Sequence, residues 1–247
     1  MKTLKEYINE SLLDDFDAMS SASTTDIRKE IKQFLKDNYK KSSNFKISKK
    51  PNNDGYYEVD CSKCSDIEVG NKNITSLTNN LFIFVNIKGD FDCSYCRNLT
   101  SLKGAPEEVD GDFYCSYNQK LTSLKGAPKE VKGFFSCSHC NNLTSLKGAP
   151  KKIKLTFNCN YCSNLKSLEG APEEVGEDFY CNDCSNLTSL EGAPKEINYV
   201  FDLTNCINIK SLKGAPKKVR TWYSLGNVQS FDEYDIKKVC SVTKIIT

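Results

Sequence analysis

The chain is short of the residues that most chemistry needs. Of its 247 residues one is histidine, one tryptophan and two methionine. A single histidine excludes metal centres built on several imidazoles and leaves at most one imidazole base for any nucleophile. No glycine-rich phosphate loop follows a strand pattern and no carboxylates pair at a defined site, so no enzyme class is indicated. No apolar run is long enough to span a bilayer. An excess of one charge is lacking as well: 34 Lys and Arg stand against 32 Asp and Glu, a formal net charge of +2. That balance gives no global field for nucleic acid or a membrane surface. Proline is scarce, and six of the seven prolines fall 22 residues apart.

What is present is a repeat. From Phe91 to Val228 a 22-residue unit occurs six times, with Phe91, Phe113, Phe135, Phe157, Phe179 and Phe201 in one column and Gly104-Ala-Pro106 and its copies in others. A unit of this size cannot bury an apolar face alone, so the copies must stack, each on its neighbours. Within one unit Phe135 and Cys137 alternate as in a strand, and then Cys140, Leu143 and Leu146 follow at intervals of three. The change of period predicts one short strand of about 3 to 5 residues per repeat followed by an ascending loop. Gly-Ala-Pro then turns the chain, because Gly accepts positive φ and Pro fixes φ. Strands of successive turns would pair in parallel, roughly 4.8 Å apart.

Ten of the thirteen cysteines form five Cys-x-x-Cys pairs, and Cys137, Cys140, Cys159 and Cys162 have the generic spacing of a zinc site. The repeat argues for a core role instead. Asn118 stands in the column of Cys96, Cys140, Cys162, Cys184 and Cys206, and Leu203 stands in the column of Cys93, Cys115, Cys137, Cys159 and Cys181. Leu cannot ligate zinc but can replace a small buried hydrophobe. Asn for Cys suits a side chain that satisfies loop backbone groups. Neighbouring cysteines would also lie within reach of disulfides, but the chain does not open on a secretory segment, so free thiols in a reducing, cytoplasmic setting are expected.

The pattern Phe-x-Cys-x-x-Cys-x-x-Leu-x-x-Leu resembles the leucine-rich repeat, in particular its cysteine-containing subtype, over the larger part of the chain. The resemblance implies a β-rich solenoid with one short parallel strand per 22-residue repeat, N-terminal helices and a short C-terminal helical cap. Phe and Cys at Leu positions and the Gly-Ala-Pro loop depart from the family. Met1-Lys2-Thr3-x-x-Glu6-Tyr7-Ile8-x-Glu10 is similar to the capsid-targeting peptide of internal head proteins of large tailed bacteriophages. That likeness implies placement in a phage head and cleavage between Glu10 and Ser11. The residues themselves also fit a plain amphipathic helix, with Leu4, Tyr7, Ile8, Leu12 and Phe16 on one face.

The organisation that follows is a targeting peptide or helix and hinge over 1–20, a helix-and-strand cap over 21–58, a solenoid over 59–228 and a C-terminal cap over 229–247. Within the solenoid, 59–90 is degenerate and 91–228 is regular. Ser23, three before Asp26, starts a helix to about Tyr39 that covers the open N-terminal end. Val59, Cys61 and Cys64 match the register of an early copy, leaving ten additional residues before Cys93. Tyr223, Leu225 and Val228 take the Phe, Cys and Cys positions of a last copy, and Ser230–Cys240 reads as a closing helix.

Function is sought on strand residues that point away from the core and line the concave face. These columns place Tyr95, Tyr114, Tyr117, His139, Asn158, Tyr161, Tyr180, Asn182, Asp183, Asp202 and Asn205 as binding residues. The three outward columns of six residues each, which begin at Asp92, Ser94 and Tyr95, hold five Tyr and no Lys or Arg in their eighteen positions. Tyr supplies rigid contact area and Ser or Asn adaptable hydrogen bonds, as in antibody paratopes, whereas phosphate binding would need cations. The expected role is a non-catalytic binding module for a protein, either a host target or a virion component, with carbohydrate as a second ligand class. No nucleic acid, membrane, metal or cofactor is expected. The alternatives are a virion-structural or scaffold repeat and a zinc-binding Cys-x-x-Cys module. Glu107-Glu108, Lys129-Glu130, Lys151-Lys152 and their copies carry the charge in the loops after each Pro, where successive turns would neutralise one another.

Overall fold

The computed structural model describes residues 23–40, 44–226 and 231–247. The chain is a β-solenoid of about 8 turns, with parallel strands stacked at the period of the repeat. Each regular unit adds a two-residue strand at its Phe: β5 (Phe91–Asp92), β7 (Phe113–Tyr114), β9 (Phe135–Ser136), β11 (Phe157–Asn158) and β13 (Phe179–Tyr180). These pair in parallel with Phe directly on Phe. The strand stops where the inward residues change period. The Leu99 amide then donates to the Cys96 carbonyl at 2.9 Å, closing a turn, and this bond recurs at Leu143, Leu165 and Leu187.

A second ladder, additional to the single strand expected, forms where the charged loops were placed. It contains β6 (Glu108–Val109), β8 (Glu130–Val131), β10 (Lys152–Ile153) and β12 (Glu174–Val175), whose Val and Ile side chains are buried. One β-branched residue per repeat, set among charges, is too sparse to register as a periodic pattern. The charges themselves do meet across turns: Lys129 pairs with Glu107 at 2.7 Å, Lys152 with Glu174 at 3.2 Å, and Asp110 bridges Lys88 and Lys132 at 2.7 and 2.6 Å. Exposed pairs of this kind contribute about 0–1 kcal/mol each.

Toward the C-terminus the two ladders merge into β14 (Glu196–Asp202), β15 (Lys218–Tyr223) and β16 (Ser241–Ile246). Here the expected register needs correction. Phe201 pairs with Trp222, not Tyr223, and their rings meet edge to face at 5.0 Å. The interval from Val219 to Trp222 is one residue shorter than that from Ile197 to Phe201, and a bulge between Ile197 and Val200 absorbs the difference. Val228 and Ser230 lie outside the described residues. The closing helix α2 (Glu233–Val239) starts at Asp232, whose carboxylate accepts the Asp235 amide at 2.8 Å. Cys240, which follows it, is buried.

The other register correction lies at the N-terminal end. The residue stacked on Phe91 is Ile67 of β3 (Ile67–Glu68), not Val59. Val59 lies in β2 (Tyr57–Asp60), between β1 (Lys46–Ile47) and β4 (Phe82–Val85), in a separate three-stranded sheet. Ile67 and Phe91 are 24 apart, so the apparent ten-residue insertion is a net gain of two over the repeat. The Cys61-x-x-Cys64 spacing was misleading because it echoes the repeat at a different point of the turn. Helix α1 (Thr24–Asn38) caps this end as expected: the Ser23 hydroxyl accepts the Asp26 amide, and Ile27, Ile31 and Leu35 are buried. Tyr39 follows, packing edge-on against Phe84 and Phe91 while its hydroxyl donates to the Leu77 carbonyl at 2.5 Å.

The core is a set of columns. Phe91, Phe113, Phe135 and Phe157 stack face to face at 5.3–5.5 Å, all fully buried. The cysteines fill the next columns as free, buried thiols. From Cys140 onward the cysteines of the second column donate to a carbonyl of the preceding turn: Cys140 Sγ to Cys115 O at 3.2 Å, Cys162 Sγ to Cys137 O at 3.3 Å, Cys184 Sγ to Cys159 O at 3.3 Å and Cys206 Sγ to Cys181 O at 3.0 Å, whereas Cys96 Sγ turns to Ser94 O of its own turn at 3.7 Å. Asn118 does the same work, its Nδ2 donating to the Cys93 and Cys115 carbonyls at 3.1 and 3.0 Å. Its Oδ1 is buried without a partner, which marks the thiol as the better fit.

Candidate functional site

On the outward side of the Phe strands, the local backbone decides which residues are presented. A two-residue strand leaves only the column of Asp92, Tyr114, Ser136, Asn158 and Tyr180 within strands, continued by Asp202 in the longer β14. The column beginning at Tyr95 sits in the turn that follows, not on a strand as expected. Tyr95, Tyr117, His139, Tyr161, Asp183 and Asn205 all have φ between 57° and 62°. Asn and Asp tolerate this left-handed region because their short polar side chains bond locally, and His is also found there; Tyr is uncommon. Four successive turns nevertheless place rings at the position.

Those rings form a ladder. Tyr95 and Tyr117 stack at 4.5 Å, Tyr117 and His139 at 4.3 Å, and His139 and Tyr161 at 4.3 Å, all within 10° of parallel. The spacing is that of the turns themselves, so the solenoid sets the stack. The end rings are the open ones, with Tyr95 51% and Tyr161 43% exposed. Beyond Tyr161 the column steps down in size, through Asp183 and Asn205 to Gly226, which also has positive φ at 73°. Asp183 is held in place by neutral donors: Asn182 Nδ2 reaches Oδ2 at 2.8 Å and Asn205 Nδ2 reaches Oδ1 at 3.0 Å.

Other expected contact residues are partly committed to structure. The Tyr114 hydroxyl donates to Asp112 at 2.6 Å and that of Tyr180 to Asp178 at 3.1 Å. Burial and the neighbouring carboxylates push both phenols up, Tyr180 to about 12. Asn158 and Asp202 accept the amides of Asn160 and Thr204 at 2.9 and 2.8 Å. Ser94, Ser116 and Ser136 are buried rather than solvent-facing, and the Ser116 and Ser136 hydroxyls bond each other at 2.7 Å. Glu10 and Ser11 lie outside the described residues.

Sequence reasoning missed the column before each Phe. Asp90, Asp112 and Asp178 there flank the outward strand positions, and each side chain accepts the amide of the residue 22 further on, at 2.8, 2.7 and 2.9 Å. The strand alternation carried one step backwards from Phe would have found them. Burial, followed by the nearby carboxylates of Asp112, Asp66 and Asp92, holds the Asp90 carboxyl above its usual range. All thirteen thiols are pushed up, ten of them chiefly by burial, with Cys96 and Cys240 each at about 11, and Cys162, Cys184 and Cys206 by hydrogen bonds among the thiols together with burial. Among the described residues no three His, Cys, Asp or Glu side chains are placed to hold a metal ion, and no helix is long and apolar enough to cross a membrane.

His139 gives the ladder a pH dependence. Burial between the rings lowers its pKa from 6.5, and the Asp183 carboxylate works weakly against that. The unfolded chain therefore takes up this proton first. The contribution to stability is complete above the unfolded value of 6.5 and is lost as pH falls from there to the lower folded value. Replacing His139 with Tyr should remove it. Urea unfolding at pH 8 and pH 5 measures this, with the variant gaining on the parent at pH 5; an equal difference at both pH values would contradict the assignment.

No protein-family model, curated protein or solved structure matches the chain.

Proposed function

We propose that the chain is a non-catalytic binding module, leucine-rich-repeat-like in its use of an outward strand face, which recognises a protein through its aromatic ladder and the polar columns beside it. One observation carries this reading. Tyr95, Tyr117 and Tyr161 occupy left-handed backbone positions that favour Gly, Asn, Asp or His, they stack with His139 among them, and the two end rings, Tyr95 and Tyr161, are exposed. Backbone strain retained over several turns is a mark of functional surfaces. Tyr is also the residue type enriched where a few side chains supply most of the binding energy. A protein is favoured over a nucleic acid because no Lys or Arg stands in these columns.

The test is combined replacement of Tyr95, Tyr117 and Tyr161 by Ala, with affinity capture from the native source and thermal melting measured together. Loss of the captured partner with a melting temperature within a few degrees of the parent is expected, since the ladder lies outside the core. Capture equal to that of the parent would remove the face from consideration.

A further inference from the structure

The face described above is chemically one-sided. Across four adjacent columns and six turns, from Asp90 to Asn205, twenty-four positions hold no Lys or Arg but six Asp. Among the described residues none of Asp90, Asp92, Asp112, Asp178, Asp183 and Asp202 is in an ion pair. The acidic side chains of the second ladder and of the Gly-Ala-Pro corners instead pair with lysines in successive turns. These four columns thus carry no cation of their own and their carboxylates stand outside ion pairs; Lys72, whose Nζ donates to the Ser94 carbonyl at 3.0 Å, reaches in at the N-terminal end, three turns from Tyr161. Unpaired carboxylates on a surface this size attract and orient a cationic partner.

The ladder says which cation. His139 covers one face of the Tyr161 ring at 4.3 Å, and among the described residues no ring covers the other. The open face looks along the column over Asp183, then Asn205, then Gly226, where the side chains have shrunk to nothing. The column therefore steps down beside Tyr161, where an aromatic ring is followed by a carboxylate in place of a further ring. Each Asp183 oxygen accepts one amide hydrogen, so each retains a lone pair for a further donor. A planar guanidinium fits both surfaces at once. It continues the stack on the Tyr161 face, as cations do over aromatic rings, and its N–H fork meets the carboxylate. An ammonium would satisfy the charge without the stacking or the fork.

We propose that the partner docks a basic, arginine-bearing segment on this face, with one arginine side chain seated on Tyr161 against Asp183. The inference rests on the binding-module reading and specifies the partner's chemistry. The neighbouring aspartates provide the field that draws the segment in, and the stacked rings provide the flat wall.

Isothermal titration of the full chain with nona-arginine and nona-lysine peptides tests it. Nona-arginine should bind about tenfold tighter than nona-lysine, the effect of one stacked and desolvated cation. Asp183→Asn, which keeps the size of the side chain, and Tyr161→Ala should each bring the arginine peptide down to the lysine affinity. Glu173→Gln, beside the second ladder and paired with Lys151, should change neither. Equal affinities for the two peptides, or an arginine preference that survives both substitutions, would overturn the proposal. So would failure of either peptide to bind. If the arginine preference fails while the triple tyrosine variant still loses its captured partner, the binding face stands and only its chemistry is misassigned. If capture survives the triple variant, the face itself is wrong.

Discussion

Replacing Gly148 with alanine is expected to lower the melting temperature by about 10 °C, with a stability loss of roughly 2–6 kcal/mol. Two effects combine. Gly148 has φ of +92°, where any L side chain is strained. A Cβ there would also lie 2.5 Å from the Lys125 amide nitrogen and 2.6 Å from the Leu124 carbonyl carbon, both main-chain atoms of the preceding turn. Backbone in a stacked ladder cannot move aside without breaking the register of its neighbours. Gly55 provides the control, because its φ is +85° but nothing lies within 4 Å of its added Cβ. Alanine at Gly55 should cost only about 1–2 kcal/mol, from backbone strain alone. Thermal melts of both variants separate strain from close approach, and similar losses would show that the tight stacking of the corners is not what requires glycine.

Phe135→Ala should cost about 3–5 kcal/mol, the usual result of emptying a buried aromatic site. The ring is fully buried between Phe113 at 5.3 Å and Phe157 at 5.5 Å, so the cavity opens onto two stacked neighbours that the ladder holds at fixed spacing. The site can collapse little. Because a solenoid is stabilised turn by turn, the damage should also be local. Hydrogen exchange should accelerate most at the amides of Phe113, Cys115, Phe135 and Cys137, which bond to carbonyls of the following turn at 2.8–2.9 Å. The cap helix at Ile31 and the turn at Phe201 should change least. A uniform increase along the chain would contradict nearest-neighbour stabilisation and indicate one cooperative unit.

Both predictions concern columns that could be read in the sequence, because a repeat of constant length turns identity of position into stacking in space. Phe on Phe, buried cysteines, Asn118 as a substitute donor and the pairing of charges 22 apart follow from alignment of the copies. The register departs from that alignment where the length of the turn changes, at Ile67 and at Trp222. There a spacing motif outlives the geometry that gave it meaning, and only backbone pairing shows which residue has taken the core position.

The candidate site was legible as a list of residues but not as an object. Composition placed five tyrosines and no cations on one side of the solenoid. It did not show that Tyr95, Tyr117, His139 and Tyr161 leave the strand for a left-handed turn and stack as a ladder, while Tyr114 and Tyr180 are tied to Asp112 and Asp178. The sequence by itself determined the solenoid, its period, its core columns and its helical cap, because apolar side chains repeated at one interval can be buried only by stacking. Tertiary structure alone decided the second ladder, the aromatic stack and the open step at Tyr161. Each depends on where the backbone turns within the 22-residue unit, and the sign of φ at a non-glycine residue is set by packing against the adjacent turns rather than by the residue's own preference.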